Sequence, residues 1–249
     1  MKRLLMVFSS LVLLCSCCIA FAAPNEGTRL NQLMDSIGGV WCDKSGHRPV
    51  NFSDNKLNGL RISDAQNFAG DKYNGSATIT ILGKEGTQFV NVYWSTVAGK
   101  KTLSLGDSLT FTPKTSDIKH PETVGGLSLD MTMDEVENKY SGNERILTPL
   151  ETRALCGIDD ISWYYENIGL MVTFDNNTFT VDRLIILKGA STAFDRSVLN
   201  ADSPLDKYAG IYGWKKNPAP GDVLNLGAGE DMSFVYYPQL VMLKLSDVN

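Results

Sequence analysis

The spacing of hydrophobic residues in the first half of the chain changes near residue 38. Before that point four apolar residues are spaced as i, i+3, i+4 and i+7: Leu30, Leu33, Met34 and Ile37. This spacing predicts a short amphipathic helix over residues 28–37. Gly38 and Gly39 follow at once and are expected to end the helix.

From residue 40 the spacing changes to two, which is typical of strands with one buried face. The predicted strands are residues 50–52, 57–62, 77–82, 89–94, 102–105 and 109–111. Turns rich in glycine, asparagine and aspartate separate them. This pattern predicts an antiparallel β-meander domain over residues 23–118, folded as a small barrel or sandwich. A count of six or seven strands favours a filled interior over a ligand cavity.

The second half contains a segment that occurs twice. Residues 127–140 align with residues 199–212 without a gap, and four pairs are identical: Leu127 with Leu199, Asp130 with Asp202, Asp134 with Asp206, and Tyr140 with Tyr212. Each segment predicts a helix that begins near Thr132 or Pro204 and is followed by short strands. We therefore predict a duplicated α+β domain over residues 119–249, with repeats at about 124–188 and 196–246.

A polar, proline-bounded stretch over residues 113–121 separates the two halves and is the predicted domain boundary. The expected fold class is thus α+β: a β-meander or barrel domain, then a duplicated domain of helices packed on an antiparallel sheet.

Two resemblances extend this picture. Gly39-Val40-Trp41 after a helix resembles the opening of lipocalin-like barrels, which implies a possible carrier of a small apolar ligand. Residues 126–136 resemble the G-x-x-x-G-M-T-x-x-E-V opening of SmpA/OmlA (BamE)-type lipoproteins and tandem β-lactamase-inhibitor-like proteins. These families are exported and bind proteins, so this resemblance implies a protein-binding sheet. The chain departs from the motif at Asp130, where family members usually have glycine, and at residues 141–144, which replace a Gly-x-Pro.

The first 22 residues have the composition of a secretory signal peptide. Lys2 and Arg3 precede an apolar stretch, and Ala20-Phe21-Ala22 provides a cleavage site. Cleavage there predicts an exported protein of the periplasm or cell surface without a membrane span in the mature chain. One alternative is lipidation at Cys17, because residues 14–17 resemble a lipobox. The other is an uncleaved membrane anchor.

Two of the five cysteines, Cys42 and Cys156, lie beyond the predicted signal peptide. An even number in an oxidising compartment favours a disulfide, and two buried free thiols are the alternative. The chain has 23 Lys and Arg against 28 Asp and Glu, a formal net charge of −5. This acidic balance argues against nucleic acid as a partner.

Motifs for catalysis are not apparent. His47 lies in a predicted turn and His120 in the predicted linker, so neither is expected to be held by a rigid element. Without a nucleophile motif, phosphate loop or metal-binding spacing, we predict no enzyme activity, no cofactor and no metal.

Aromatic residues concentrate in the second half, and Tyr164, Trp214 and Tyr237 are predicted protein contacts. We therefore expect a non-catalytic scaffold, or an inhibitor of an extracellular enzyme, that binds another envelope or extracellular protein. A small-molecule carrier and a hydrolase are the alternatives.

Overall fold

The structure is a computed structural model that describes residues 26–106, 109–213, 221–236 and 239–248. The predicted signal peptide and the alternative lipid attachment at Cys17 lie outside these residues, as do Trp214 and Tyr237. Within the described ranges the chain forms a closed antiparallel barrel, a second antiparallel sheet and four α-helices. No helix in these ranges has the length and apolar character needed to cross a membrane.

The barrel is built from eight strands that pair in chain order. They are β1 (Gly39–Asp43), β2 (Val50–Ser53), β3 (Lys56–Leu57), β4 (Leu60–Gly70), β5 (Gly75–Gly83), β6 (Gly86–Val97), β7 (Lys100–Leu105) and β8 (Leu109–Pro113). Helix α1 (Glu26–Ile37) precedes them and packs against β2 and β4. The indole N–H of Trp41 donates to the carbonyl oxygen of Ile37 at 2.8 Å, which joins the helix to the first strand.

The sequence-based count of six or seven strands was too low. It missed β1, and it merged β3 with β4, which Asn58 and Gly59 separate by a tight turn with positive φ angles of 48° and 86°. Inward-facing side chains such as Phe52, Ile79 and Phe111 are fully or almost fully buried and fill the barrel interior.

The second sheet has seven strands. They are β9 (Arg145–Leu147), β10 (Ser162–Tyr165), β11 (Leu170–Phe174), β12 (Val181–Leu187), β13 (Val223–Gly227), β14 (Glu230–Tyr236) and β15 (Gln239–Leu245). Their spatial order is β13-β14-β15-β12-β11-β10-β9, and every neighbouring pair is antiparallel. Strands β10–β12 and β13–β15 thus occupy opposite halves of the sheet, with β12 paired to β15 at the centre.

Three helices accompany this sheet: α2 (Met133–Tyr140), α3 (Pro149–Cys156) and α4 (Leu205–Tyr212). Val136 of α2 and Tyr208 of α4 are buried in one hydrophobic cluster with one face of the sheet and with the barrel interior. Helix α3 packs on the opposite face, where Cys156 contacts a smaller cluster. We call the sheet and these three helices the sheet module.

The helices predicted from the two aligned segments are present. Helix α2 and helix α4 begin and end at aligned positions, Met133 with Leu205 and Tyr140 with Tyr212. Helix α3 and strand β9 were not predicted, and both follow the first of the two segments. Strand β9 has three residues, too few to show a period, and α3 buries Thr152 and Cys156, so its buried face lacks the apolar spacing that predicts a helix.

The expected disulfide is absent, since Cys42 and Cys156 are both free and buried. Cys42 lies on the first strand of the barrel, whereas Cys156 ends α3 on the face of the sheet that carries the smaller cluster. Burial raises the pKa of both thiols, so they behave as small apolar side chains. The alternative of two buried free thiols is therefore correct.

Candidate functional site

A hairpin loop of the barrel, residues 44–49 between β1 and β2, reaches into the sheet module. Asp43 shapes this loop because its Oδ1 accepts hydrogen bonds from the backbone amides of Ser45 and His47, at 2.8 and 2.9 Å. Gly46 turns the chain with a φ of 89°. The loop thereby presents two basic side chains, His47 and Arg48, to the sheet module.

Arg48 is the most heavily paired of these side chains. Only 4% exposed, its guanidinium binds Asp247 through two hydrogen bonds of 2.8 and 2.9 Å. It also contacts Asp175 and Asp43, each at 3.1 Å. Asp175 lies in the β11–β12 turn and Asp247 follows β15, so one arginine joins the barrel to two separate segments of the sheet module. The hydrogen bonds from Arg48 lower the pKa of Asp247.

His47 bridges the same two parts of the molecule. Its Nδ1 lies 2.6 Å from Oδ2 of Asp130, which precedes α2, and its Nε2 is hydrogen-bonded to the carbonyl oxygen of Ala228 in the β13–β14 turn. Burial of the ring acts to lower the pKa of His47. The hydrogen bond and negative charge of Asp130 outweigh this effect, so the pKa is raised above its ordinary value.

Asp130 adopts a backbone conformation that favours glycine. Its φ is 68°, in the left-handed region, and this is the position where the resembling families usually have glycine. The carboxylate accepts a second hydrogen bond, from the backbone amide of Arg48 at 2.7 Å. The carboxylate of Asp130, at a motif position that usually holds glycine, therefore binds both His47 and Arg48 of the barrel loop.

His120 forms a second histidine–carboxylate pair beside the first. Its Nδ1 lies 2.7 Å from Oε1 of Glu230, which is fully buried, and its ring centroid is 6.1 Å from that of His47. The second oxygen of Glu230 has no hydrogen-bond partner among the described residues. We refer to these eight groups as the junction cluster: Asp43, His47, Arg48, His120, Asp130, Asp175, Glu230 and Asp247.

A cavity of about 350 Å³ adjoins the junction cluster, and His120, Asp130, Lys114, Ser128 and Glu135 contribute to its walls. A buried carboxylate that holds a histidine ring is also an arrangement used for acid–base catalysis. In the described part of the chain, however, no hydroxyl or thiol is hydrogen-bonded to either histidine ring. No group of three or more metal-ligating side chains with suitable geometry was found there either.

The expectation that His47 and His120 are not held by rigid elements was wrong. Both rings are fixed by carboxylates that lie 83 and 110 residues away in the sequence. The sequence contained one indication of this arrangement, the carboxylate of Asp130 at a motif position that favours glycine. No local pattern pointed to Glu230 or Asp247 as partners.

A second surface feature lies on the outside of the barrel, on strands β5 and β6. Ten side chains lie on the outer side of these strands, and all but the buried Thr80 are at least partly exposed: Ser76, Thr78, Thr80, Leu82, Thr87, Phe89, Asn91, Tyr93, Ser95 and Val97. None is charged, and Leu82, Phe89, Tyr93 and Val97 are 43%, 65%, 48% and 71% exposed. Charged residues lie at the margin of this surface on the neighbouring strands: Arg61 of β4 is directly opposite Leu82, and Lys100 of β7 is directly opposite Val97. We call these ten positions the β5–β6 face.

The predicted aromatic contacts are only partly described. Tyr164 lies on β10, is half-buried against the smaller hydrophobic cluster, and has the guanidinium of Arg145 5.9 Å above its ring. Trp214 and Tyr237 lie outside the described residues. The role of these three residues in protein binding stays a prediction.

Comparisons of this chain with protein-family models, with curated proteins and with solved structures found no match.

Proposed function

We propose that this chain is an exported, non-catalytic protein of the cell envelope that binds another envelope or extracellular protein. The observation that carries the proposal is the β5–β6 face, with four exposed large apolar side chains and no charge at its ten outward positions. Export is proposed from the signal-like residues 1–22.

The composition of this face is that of the centre of a protein interface. Such centres are depleted in charged residues and enriched in aromatic side chains, and a polar rim surrounds them. Phe89 and Tyr93 are four residues apart on one strand and therefore point to the same side. Arg61 and Lys100 lie at the margin, where charges affect association rate and specificity more than affinity.

The packed interior of the barrel supports binding on its outer surface over the carriage of a ligand inside. Phe52, Ile79 and Phe111 occupy the space in which an apolar ligand would lie. Trp41 and α1 close over the same interior through the hydrogen bond to Ile37. This arrangement gives the β5–β6 face a rigid support, which lowers the entropic cost of binding.

We also infer that the sheet module is a duplicated, inhibitor-like unit. The aligned bounds of α2 and α4 support this, as does the arrangement of β10–β12 and β13–β15 on either side of the central β12–β15 pair. Tyr140 and Tyr212, which are aligned, both direct their hydroxyl groups to the segment that precedes α2, Tyr140 to Gly125 and Tyr212 to Glu122.

Site-specific photocrosslinking tests the proposed surface. A photoreactive phenylalanine analogue is placed at Phe89 and, as a matched control, at Leu150, an exposed apolar residue of α3. We expect a discrete protein adduct from position 89 in the native envelope and none from position 150. Unlabelled wild-type protein should compete for this adduct, and an F89S/Y93S variant should compete about 30-fold less well, equivalent to about 2 kcal/mol.

The F89S/Y93S variant should fold normally because both replaced side chains are exposed in the wild type. Its thermal unfolding, compared with that of the wild type, tests whether it is folded. The proposal fails if the double variant competes as well as the wild type, or if adducts form only from position 150. The variants Y164A, W214A and Y237A in the same competition assay test the predicted aromatic contacts separately.

A further inference from the structure

The geometry around His47 determines its protonation state. Its two ring nitrogens both face acceptors, Oδ2 of Asp130 and the carbonyl oxygen of Ala228. A neutral imidazole carries one N–H and can donate only once, whereas an imidazolium donates from both nitrogens. Both contacts are therefore hydrogen bonds only when His47 is charged.

The groups that face His47 come from five parts of the chain, and most of them are negative. Asp43 and Arg48 flank it on the barrel loop, Asp130 faces it from the segment before α2, and Glu230 acts on it from β14. His120, between β8 and α2, lies beside the ring. Asp247, which follows β15, interacts electrostatically with the charged form of His47. Among these groups Arg48 carries a permanent positive charge, and it is paired with Asp43, Asp175 and Asp247.

We propose that protonation of His47 controls how firmly the barrel is held against the sheet module. The charged ring bridges Asp130 and the β13–β14 turn. Loss of the proton removes one of these two hydrogen bonds. It also removes the positive charge nearest the buried Asp130 carboxylate, whose Oδ2 lies 2.6 Å from Nδ1 of His47 and 4.0 Å from Nε2 of His120. An uncompensated buried charge is unfavourable, so the junction opens more readily in the deprotonated form.

The direction of the pH dependence follows from the raised pKa of His47. The stabilising contribution is fully present below the ordinary pKa of 6.5 and is lost as the pH rises through the higher pKa of the folded state. The junction is thus tight in mildly acidic conditions and loosens towards alkaline pH. Each unit by which the pKa is raised corresponds to about a tenfold change in the opening equilibrium.

Imidazole ¹⁵N NMR of the full chain tests the charge state directly. The protein has only two histidines, so the variant H120Q assigns the remaining signal to His47. We expect both nitrogens of His47 to show imidazolium shifts at pH 6.5 and to titrate above that pH. A neutral tautomer at pH 6.5 would overturn the proposal.

Native-state hydrogen exchange tests the effect on the junction. The reporter is the amide of Arg48, which donates to Asp130 across the junction, and amides in the middle of β5 and β6 serve as internal references. After correction for the intrinsic pH dependence of exchange, protection of the Arg48 amide should fall as His47 deprotonates, by about tenfold for each unit by which its pKa is raised. The protection of the reference amides should not change.

Two variants assign this effect to one histidine. H47Q should show weak protection of the Arg48 amide at every pH, whereas H120Q, which keeps His47, should retain the pH-dependent fall. The proposal is overturned if protection of the Arg48 amide in wild-type protein stays constant across the pH titration. It is also overturned if the pH dependence disappears in H120Q but persists in H47Q. If H47Q does not fold, the other two proteins still test the proposal. A pH-dependent fall in both wild-type protein and H120Q supports it, and a fall that is absent from either one overturns it.

Discussion

At the scale of single residues, Asp130 and Arg48 combine an unfavourable backbone conformation with strong pairing. Both have positive φ angles, 68° for Asp130 and 51° for Arg48, in a region that side chains other than glycine rarely adopt. Residues held in this way persist when surrounding contacts compensate for the strain. Here the two strained residues stabilise each other, because the Asp130 carboxylate is hydrogen-bonded to the Arg48 amide and also to the His47 ring.

The variant D130N tests this pairing. Asparagine tolerates the left-handed conformation and has nearly the same shape, but it removes the negative charge that faces His47. We expect a loss of about 2 kcal/mol in the free energy of unfolding, the value of a hydrogen bond to a charged group. Urea denaturation at mildly acidic pH, where His47 is charged, measures it.

A matched control is D54N, since Asp54 also has a positive φ, 50°, but lies exposed in the β2–β3 turn. Its effect should stay within about 0.5 kcal/mol. Equal effects of the two substitutions would mean that the pairing of Asp130 contributes nothing to stability.

At the scale of elements, α2 and α3 share one device at their first turn. Thr132 and Thr148 each accept a hydrogen bond from the backbone amide three residues on. Glu135 and Glu151 accept one in return from the backbone amides of the two threonines. Helix α4 begins at Leu205, and Pro204 before it makes no such side-chain bond. The three helices therefore start by two different means, and two of them carry the capping-box sequence Thr-x-x-Glu.

Replacement of the capping threonine tests the device in α2. T132A should lower the free energy of unfolding by about 1 kcal/mol, because it leaves a helix amide without an acceptor. T132S keeps the hydroxyl group and should retain most of that stability. Thermal unfolding of the two variants is the measurement, and a T132S protein as unstable as T132A would show that the hydroxyl is not the cause.

At the scale of the whole molecule, the barrel and the sheet module share one hydrophobic cluster and several polar contacts. Besides the junction cluster, the indole of Trp163 donates to Glu85 of the β5–β6 turn at 3.0 Å. Lys84 of the same turn binds Glu137 and Glu144 at 2.9 and 2.6 Å. Because these contacts lie at two separate places, we expect the two parts to unfold together.

Arg48 should be decisive for this cooperativity. R48M removes the cation that pairs two largely buried carboxylates, Asp43 and Asp175, and one exposed carboxylate, Asp247. A loss of about 3 kcal/mol, the lower end of the range for breaking a buried ion pair, is expected. R153M removes an exposed partner of Asp159 and should cost less than about 1 kcal/mol.

Urea unfolding followed by tryptophan fluorescence and by far-UV circular dichroism measures both variants. The two curves should coincide for the wild type and R153M. An R48M protein as stable as R153M would contradict the assigned role.

Much of the secondary structure was predictable because its cause is local. The strands over residues 77–82 and 89–94 and the helices α1, α2 and α4 follow from the periodicity of their own residues. Strands β3 and β9 were missed because two or three residues carry too little pattern. Helix α3 was missed because it buries Thr152 and Cys156 instead of a row of large apolar side chains. The segment that occurs twice predicted where α2 and α4 lie, but not the helix inserted after the first copy.

The tertiary structure alone decided the junction and the fate of the cysteines. His47 and Arg48 pair with groups 82 to 199 residues away, and a sequence contains no measure of which distant loops converge. Cys42 and Cys156 stay unpaired because Cys42 lies in the barrel, whereas Cys156 is the last residue of α3, which packs on one face of the sheet. Local periodicity therefore determined the elements of this protein, whereas its buried charges became interpretable only after the barrel and the sheet were placed together.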